Sequence, residues 1–195
     1  MALSQEEIIE ILKETGALQK GHFRLSSGLH SANYVQCSQL LKFPHLAEKV
    51  CTELANQFKE DNISMVVGPA IGGILVAYEV ARALHVEGIF AERENGVMTL
   101  RRGFHVDKGQ RVIVIEDVLT TGGSAQEVVE LLQSMGAEVV AAGSIIDRTA
   151  GNTLKLKVPF KSLVKLNFET FTEDNCPMCQ EGLPIVKPGS RPTKQ

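Results

Sequence analysis

The sequence predicts an α/β fold: a mainly parallel, twisted sheet flanked by helices, with a small cap built from the N- and C-terminal segments. Short apolar strand patterns alternate with helical patterns over residues 45–168, as in parallel sheets with crossover helices. The run 111–115 is continuous and β-branched, which is typical of a strand buried on both faces. The segments 1–40 and 169–195 break this alternation. We therefore expect one domain over 1–195, with its core at about 41–168 and its cap from about 1–40 and 169–195.

Composition narrows the function classes. The chain has 195 residues, 44% of them hydrophobic, and a net charge of −3, so it can bury a core but lacks the basic balance of a bulk nucleic-acid binder. We expect no nucleic-acid partner and no membrane partner, since no apolar run reaches the length of a membrane-spanning helix. The acidic N-terminus does not resemble a signal peptide. Four cysteines in a sequence without an export signal predict a reducing, cytoplasmic location.

The N-terminal third is predicted to contain two helices and a strand. Ser4, with a glutamate three residues later, forms the pattern of a capping box, and the helix that it begins ends at Gly16. The polar segment 23–36 is typical of a turn and a strand. A second helix begins at Pro44, because proline fits the first helical turn, and apolar residues recur every four positions as far as Phe58.

Strands and helices then alternate to residue 168. We predict strands at 63–67, 88–92, 111–115, 139–146 and 162–168, and helices at 74–84 and 124–135. The long, basic segment 93–110 is expected to be a mobile lid, in which 97–100 pairs as half of a hairpin. The tail is rich in proline and glycine from Cys176 onward and is expected to be irregular.

The strongest chemical signal is the run 112–124, VIVIEDVLTTGGS. An apolar strand ends in Glu116 and Asp117, a Thr-Thr-Gly-Gly-Ser turn follows, and a helix begins. Backbone N–H groups at a helix start suit a phosphate, and the two glycines allow it to come close. The two acids would repel that phosphate, so they suit a sugar diol or a Mg²⁺ ion reached through water. The alternative is a plain turn with surface acids, which would leave two acids at the end of a buried strand without a ligand.

This run resembles the signature with which type I phosphoribosyltransferases bind phosphoribosyl pyrophosphate (PRPP). The resemblance implies that fold, a homodimer, and Mg²⁺ as cofactor, carried mainly by the pyrophosphate of the substrate. It also implies that the acids hold the ribose hydroxyls and the turn holds the 5-phosphate. The turn 68–73, which alone could be an ordinary Gly-Pro turn, resembles the family's pyrophosphate loop. The implied catalytic residues are Arg93 and Asp117, and the implied PRPP-binding residues are Arg93, Glu116, Asp117, Val118, Leu119, Thr120, Thr121, Gly122, Gly123 and Ser124.

Three further segments resemble the orotate phosphoribosyltransferases within that family: 21–34, the mobile loop at 92–104, and Ile146-Asp147-Arg148. This resemblance implies transfer of ribose 5-phosphate from PRPP to orotate, with Thr120 and Arg148 binding orotate. Arg101, Arg102 and His105 are further loop candidates. Two alternatives stay open: a purine phosphoribosyltransferase, and a PRPP-sensing regulator with the same fold. The alternative for Arg148 is a surface ion pair with Asp147, which would contribute little to stability.

The motif Cys176-Pro-Met-Cys179 has the spacing of half a zinc site. A closed site needs two more ligands, and Cys37 and Cys51 do not lie at short spacing, so we expect no metal ligands in the protein and treat the thiols as structural or inert. His30, together with His45 and His85, lies in no metal or catalytic motif and is expected at the surface or on a helix.

Overall fold

A computed structural model describes residues 3–149 and 154–188 of the chain. Its main sheet has six strands in the order β5-β4-β3-β6-β7-β8, all parallel except β5, which is antiparallel to β4. The predicted parallel α/β fold is thus confirmed. The last residues of the predicted single domain, 189–195, lie outside the described residues. The main-sheet strands are β3 (Met65–Pro69), β4 (Glu87–Glu94), β5 (Val97–Thr99), β6 (Arg111–Leu119), β7 (Glu138–Asp147) and β8 (Phe160–Lys165), and a separate antiparallel pair is formed by β1 (Leu18–Arg24) and β2 (His30–Val35).

Helices cover both faces of the main sheet. The N-terminal helix has the predicted capping box, in which the Ser4 hydroxyl accepts from the Glu7 N–H at 3.2 Å and the Glu7 carboxylate accepts from the Ser4 N–H at 2.8 Å. Among the described residues, no helix is both long and apolar enough to cross a membrane. The helices are α1 (Gln5–Glu14), α2 (Ser38–Leu41), α3 (Pro44–Asn56), α4 (Gly73–Leu84), α5 (Gly123–Ser134) and α6 (Pro177–Gln180), with 3₁₀ turns at Lys59–Asp61 and Glu173–Asn175.

The burial of both faces of β6 explains why its sequence is apolar without alternation. Ile113 and Ile115 face a core formed with α1, α3 and α4, whereas Val112 and Val114 face a second core formed with α5. All four side chains are fully buried. The sheet is therefore covered on both faces, as the β-branched run predicts. Helix α1 packs into the first of these cores and against β8, although the sequence grouped it with the cap.

Strand β6 is longer than predicted. It does not end at Ile115 but continues to Leu119, because β7 goes on pairing with it as far as Leu119 opposite Asp147. Its pairing with β3 stops earlier, at Val67 opposite Val114. The last five residues of β6 therefore have a strand on only one side. The chain leaves β3 for β4 on one flank and leaves β6 for β7 on the other, so a topological switch point lies between β3 and β6.

The β1–β2 hairpin forms a second layer with the C-terminal segment. Phe23 of β1 forms a parallel bridge with Val186, and His30 of β2 forms an antiparallel bridge with Phe171. His30 is 1% exposed, so the expectation that it lies at the surface or on a helix is wrong. The hairpin and the tail hold each other through these backbone hydrogen bonds, which the irregular tail sequence does not predict.

Candidate active site

A polar cleft of about 650 Å³ opens at the carboxyl ends of β3 and β6, at the switch point where open α/β sheets bind ligands. A second hollow of about 660 Å³ lies at the opposite edge, beside the first residues of β3 and β4, and the loop candidate His105 is the one predicted residue that lines it. The first cleft is therefore the candidate site. Its walls are formed by Ser26, Pro69, Ala70, Ile71, Gly72, Gly73, Arg93, Glu116, Asp117, Val118, Thr120, Thr121, Gly122, Gly123, Ser124, Glu127 and Lys155.

Two turns meet at the floor of the cleft: the turn after β3 and the end of β6. A Cβ atom added to Gly72 would lie 2.8 Å from one carboxylate oxygen of Asp117 and 2.9 Å from the other. A Cβ added to Gly73 would lie 3.0 Å from the Ile115 carbonyl oxygen. This close approach therefore disfavours a side chain at both positions, whereas the backbone conformation does not, since neither glycine has a positive φ angle. The peptide bond between Ala70 and Ile71 is cis.

The acid pair projects from β6 into this cleft. The Val118 N–H donates to Asp117 Oδ1 at 2.8 Å, which fixes the carboxylate. Burial raises the pKa of Asp117 although this hydrogen bond lowers it. A partly desolvated carboxylate held in place is suited to accept hydrogen bonds from ligand hydroxyls.

The turn 120–124 leads from β6 into α5 and forms the opposite wall. Gly122 has φ 73°, a left-handed conformation that favours glycine, and it comes directly before the first residue of α5. The first-turn N–H groups of a helix lack partners within it, so this end of the cleft suits an anion. Leu119 is the exception among the predicted contacts, because its side chain is fully buried in the core and does not line the cleft.

Arg93 reaches the cleft from the end of β4 and is held there by α5. Its guanidinium binds both carboxylate oxygens of Glu127, at 2.6 and 2.9 Å, and donates to the Gly96 carbonyl at 2.8 Å. This ion pair raises the pKa of Arg93. The cleft thus presents a cation opposite the acid pair.

The basic segment after Arg93 begins as the predicted hairpin, with Met98 of β5 opposite Arg93 of β4. Its arginines are paired within it: Arg101 lies 3.3 Å from Glu94, and Arg102 lies 3.0 Å from Glu92. Neither arginine lines the cleft.

Arg148 lies beside the cleft at the end of β7. Its N–H donates to the Leu119 carbonyl at 2.8 Å, which places it next to Thr120. Its half-buried guanidinium stacks on the Phe168 ring at 4.8 Å, and burial lowers its pKa while the nearby Tyr34 raises it. Asp147 instead accepts a hydrogen bond from the Thr149 N–H at 2.7 Å, so the alternative of a surface ion pair between Arg148 and Asp147 is not observed. No ion pair within the described part of the chain uses Arg148.

Three residues of the cleft were not among the predicted site residues. Glu127 lies one helical turn after Gly123, so the helical spacing that follows the phosphate turn could have found it. Lys155 follows the described end of β7 by several residues, and its N–H donates to the Thr121 carbonyl at 2.9 Å. No motif surrounds it. Ser26 comes from the β1–β2 loop, within the segment 21–34.

Comparison with known proteins agrees with this geometry. Residues 37–175 match the model of the phosphoribosyl transferase domain. The orotate phosphoribosyltransferase of Thermotoga maritima is 54% identical over 187 residues, covering 96% of this chain and all of that protein, and the enzyme of Caldicellulosiruptor saccharolyticus is 50% identical over 192 residues, covering 98% and 100%. The crystal structure of orotate phosphoribosyltransferase from Aeropyrum pernix superposes with a TM-score of 0.67 at 29% identity, covering 82% of this chain and 93% of that one. The chain therefore belongs to the phosphoribosyltransferase family, and within it to the orotate phosphoribosyltransferases.

Proposed function

We propose that this chain transfers the ribose 5-phosphate group from PRPP to N1 of orotate, yielding orotidine 5′-monophosphate and pyrophosphate for de novo pyrimidine (UMP) synthesis. The observation that carries the choice of base is Arg148, a half-buried guanidinium beside the cleft with no carboxylate partner among the described residues. A planar fork of this kind matches the carboxylate of orotate. Thr120, at the adjacent end of the turn, completes the base site.

The cleft is arranged to bind PRPP from end to end. The turn 120–124 would hold the 5-phosphate through backbone N–H groups and hydroxyls at the start of α5. Glu116 and Asp117 would accept hydrogen bonds from the ribose diol. The turn 68–73, which packs directly against Asp117, would then lie against the pyrophosphate.

The reaction requires no side-chain nucleophile. The bond from the anomeric carbon to the pyrophosphate oxygen breaks, the bond to N1 of orotate forms, and the N1 proton is released. Positive charge develops on the ribose in the transition state, where the adjacent carboxylate of Asp117 stabilises it. Arg93 would neutralise the departing pyrophosphate, exchanging its pair with Glu127 for the leaving group.

The donor set of the cleft also fits Mg²⁺. This ion prefers oxygen ligands and retains several waters, and Glu116 and Asp117 present carboxylate oxygens at the cleft where PRPP would add its own. When bound, Mg²⁺ would neutralise charge on the pyrophosphate. The two acids would orient the ion with its substrate through the ribose and water.

We further infer a cytoplasmic homodimer. None of the four cysteines forms a disulfide, which suits a reducing compartment. The dimer follows from the family resemblance, in which loop cations act across the subunit interface. Arg93 lines the cleft of its own chain, so Arg101 and Arg102, which do not line it, are the candidates to serve a neighbouring site. PRPP and orotate are the proposed small-molecule partners.

A panel of bases tests the function. Purified protein with PRPP and Mg²⁺ is given orotate, uracil, adenine, hypoxanthine, guanine or xanthine in turn, and pyrophosphate release is measured, with omission of PRPP as control. We expect release with orotate and at least about tenfold less with bases that lack the carboxylate. Release with a purine instead would replace this proposal with the purine alternative, and release with none would refute both.

A further inference from the structure

Four side chains with metal-ligating atoms meet where the β1–β2 hairpin contacts the C-terminal segment: His22, His30, Cys176 and Cys179. Their ligand atoms all lie within 4.8 Å of one another. His22, His30 and Cys176 are 4%, 1% and 0% exposed, and Cys179 is partly buried. The cluster contains none of the residues that line the polar cleft.

The distances match a tetrahedral centre. His22 Nε2 lies 3.0 Å from His30 Nδ1, and the sulfur–nitrogen distances are 3.5 Å from Cys176 to His22, 3.6 Å from Cys179 to His22 and 3.3 Å from Cys179 to His30. Zinc bonds of about 2.0 Å to nitrogen and 2.3 Å to sulfur, at tetrahedral angles, separate two nitrogens by about 3.3 Å, a nitrogen and a sulfur by about 3.5 Å, and two sulfurs by about 3.8 Å. These atoms therefore already surround a point that a single ion would occupy.

The surroundings of the two histidines orient them as ligands. The Nδ1 of His22 lies 2.9 Å from the Leu183 carbonyl, so it carries the proton and leaves Nε2 free to bind a metal. A backbone carbonyl of this kind commonly fixes the tautomer of a zinc-bound histidine. In His30 the Nδ1 atom is the ring nitrogen that contacts His22 and Cys179. Its Nε2 atom is buried and has no partner within the described part of the chain.

We propose that His22 Nε2, His30 Nδ1, Cys176 Sγ and Cys179 Sγ bind one Zn²⁺ ion in a closed, structural site. Two thiolates and two imidazoles in tetrahedral array are the donor set that selects zinc, and four protein ligands leave no position for substrate. The sequence predicts no metal ligands because a closed site needs two more ligands and the other cysteines, Cys37 and Cys51, do not lie at short spacing. The two further ligands are histidines more than 140 residues earlier: His30 and Cys179 are 149 positions apart in the sequence.

The ion would fasten the tail to the hairpin. Both histidines lie on the hairpin strands. Both cysteines lie in the C-terminal segment, at or within the short helix α6, which follows a 3₁₀ turn. The hairpin loop carries Ser26 into the polar cleft. Zinc therefore stabilises the layer that supplies this wall of the cleft, and it does so whether or not the proposed reaction is correct.

Metal content tests the site directly. The full chain is expressed with zinc supplied, purified in a reducing buffer, and assayed for zinc and iron by mass spectrometry. We expect one zinc per chain, with Cys176→Ser and His30→Ala each retaining less than about a tenth, because even loss of a residue that only orients a ligand costs about 10–100-fold in affinity. Cys51→Ala is the matched control: it removes a buried cysteine of the main core and should keep its zinc.

A spectroscopic readout on the unaltered sequence avoids dependence on the folding of variants. After zinc removal, stoichiometric Co²⁺ should give the visible bands of a tetrahedral ion and the charge-transfer band of a thiolate ligand, and Zn²⁺ should abolish both. Chelation should lower the melting temperature of the wild type and of Cys51→Ala but not that of Cys176→Ser. Wild-type protein without zinc, iron in its place, or a Cys176–Cys179 disulfide that persists under reduction would overturn the proposal.

Discussion

Gly72→Ala should impair PRPP binding without unfolding the protein. The backbone at Gly72 has φ −59° and ψ −40°, which alanine adopts readily. The new Cβ would lie 2.8 Å from an Asp117 carboxylate oxygen, and ordinary contact begins at 3.4 Å, so the carboxylate must retreat by about 0.6 Å. The substitution therefore displaces one functional group of the cleft and leaves the rest of the turn in place.

The expected magnitudes differ for stability and binding. Replacing glycine by alanine stabilises the protein by about 0.4–1 kcal/mol, because it restricts the unfolded chain. This offsets part of the roughly 1–3 kcal/mol of stability that overpacking typically costs. At about 2–4 °C per kcal/mol, the remaining loss of at most about 2.6 kcal/mol should lower the melting temperature by no more than about 10 °C. Because a hydrogen bond to a charged group contributes about 1.5–3 kcal/mol, displacing the Asp117 carboxylate should lower PRPP affinity by about 10–100-fold.

A double-mutant cycle isolates the cause. PRPP affinity is measured by calorimetry with Mg²⁺ for the wild type, Gly72→Ala, Asp117→Ala and the double variant. If Gly72→Ala acts through Asp117, it should cost nothing further once the carboxylate is removed. Leu75→Ala, at a half-exposed position on α4 outside the cleft, is the control and should bind within about twofold of wild type.

Additive losses in the cycle would refute this reasoning, since they would mean that Gly72 affects PRPP by a route independent of Asp117. So would an unchanged affinity in Gly72→Ala with melting temperature preserved. An unchanged affinity in Asp117→Ala would go further and remove the acid pair from the PRPP site.

Three other predictions test the remaining parts of the site. Chains with Arg101→Ala and Arg102→Ala should be inactive alone, and mixing them with Asp117→Ala chains should restore activity through hybrid dimers; hybrids that form without activity would contradict a shared site. Proteolysis within residues 93–108 should slow when PRPP and Mg²⁺ are added, because the segment closes over the substrate; equal cleavage with and without them would contradict a lid. Phe168→Leu removes the ring 4.8 Å below Arg148 and should raise the KM for orotate about two- to fivefold, as expected for about 0.5–1 kcal/mol of cation–π energy, with PRPP affinity unchanged. An unchanged KM would show that the ring does not position the guanidinium.

The sheet could be predicted because its signals are local. Continuous β-branched residues in β6 and the capping box at Ser4 each report on their own element, and the structure confirms both. The phosphate turn is equally local, since strand, acids, glycines and helix follow one another within thirteen residues.

Features that depend on distant contacts could not be predicted in this way. The length of β6 beyond Ile115 is set by pairing with β7, and the pairing of Arg93 with Glu127 requires β4 and α5 to be neighbours. The burial of His30 depends on the C-terminal segment, whose proline-rich sequence shows no strand pattern. Tertiary packing, rather than local propensity, decides each of these.

The choice of base depends on Arg148, and one comparison tests it most directly: kcat/KM for orotate and for uracil, which lacks the carboxylate, in wild type, Arg148→Lys and Arg148→Ala. A charged hydrogen bond contributes about 1.5–3 kcal/mol, so Arg148→Ala should lower kcat/KM for orotate by about 10–150-fold and leave that for uracil unchanged. Arg148→Lys should lie between, because it keeps the charge but not the fork. Equal losses for both bases, or full orotate activity in Arg148→Ala, would contradict the assignment of Arg148 as the residue that selects orotate.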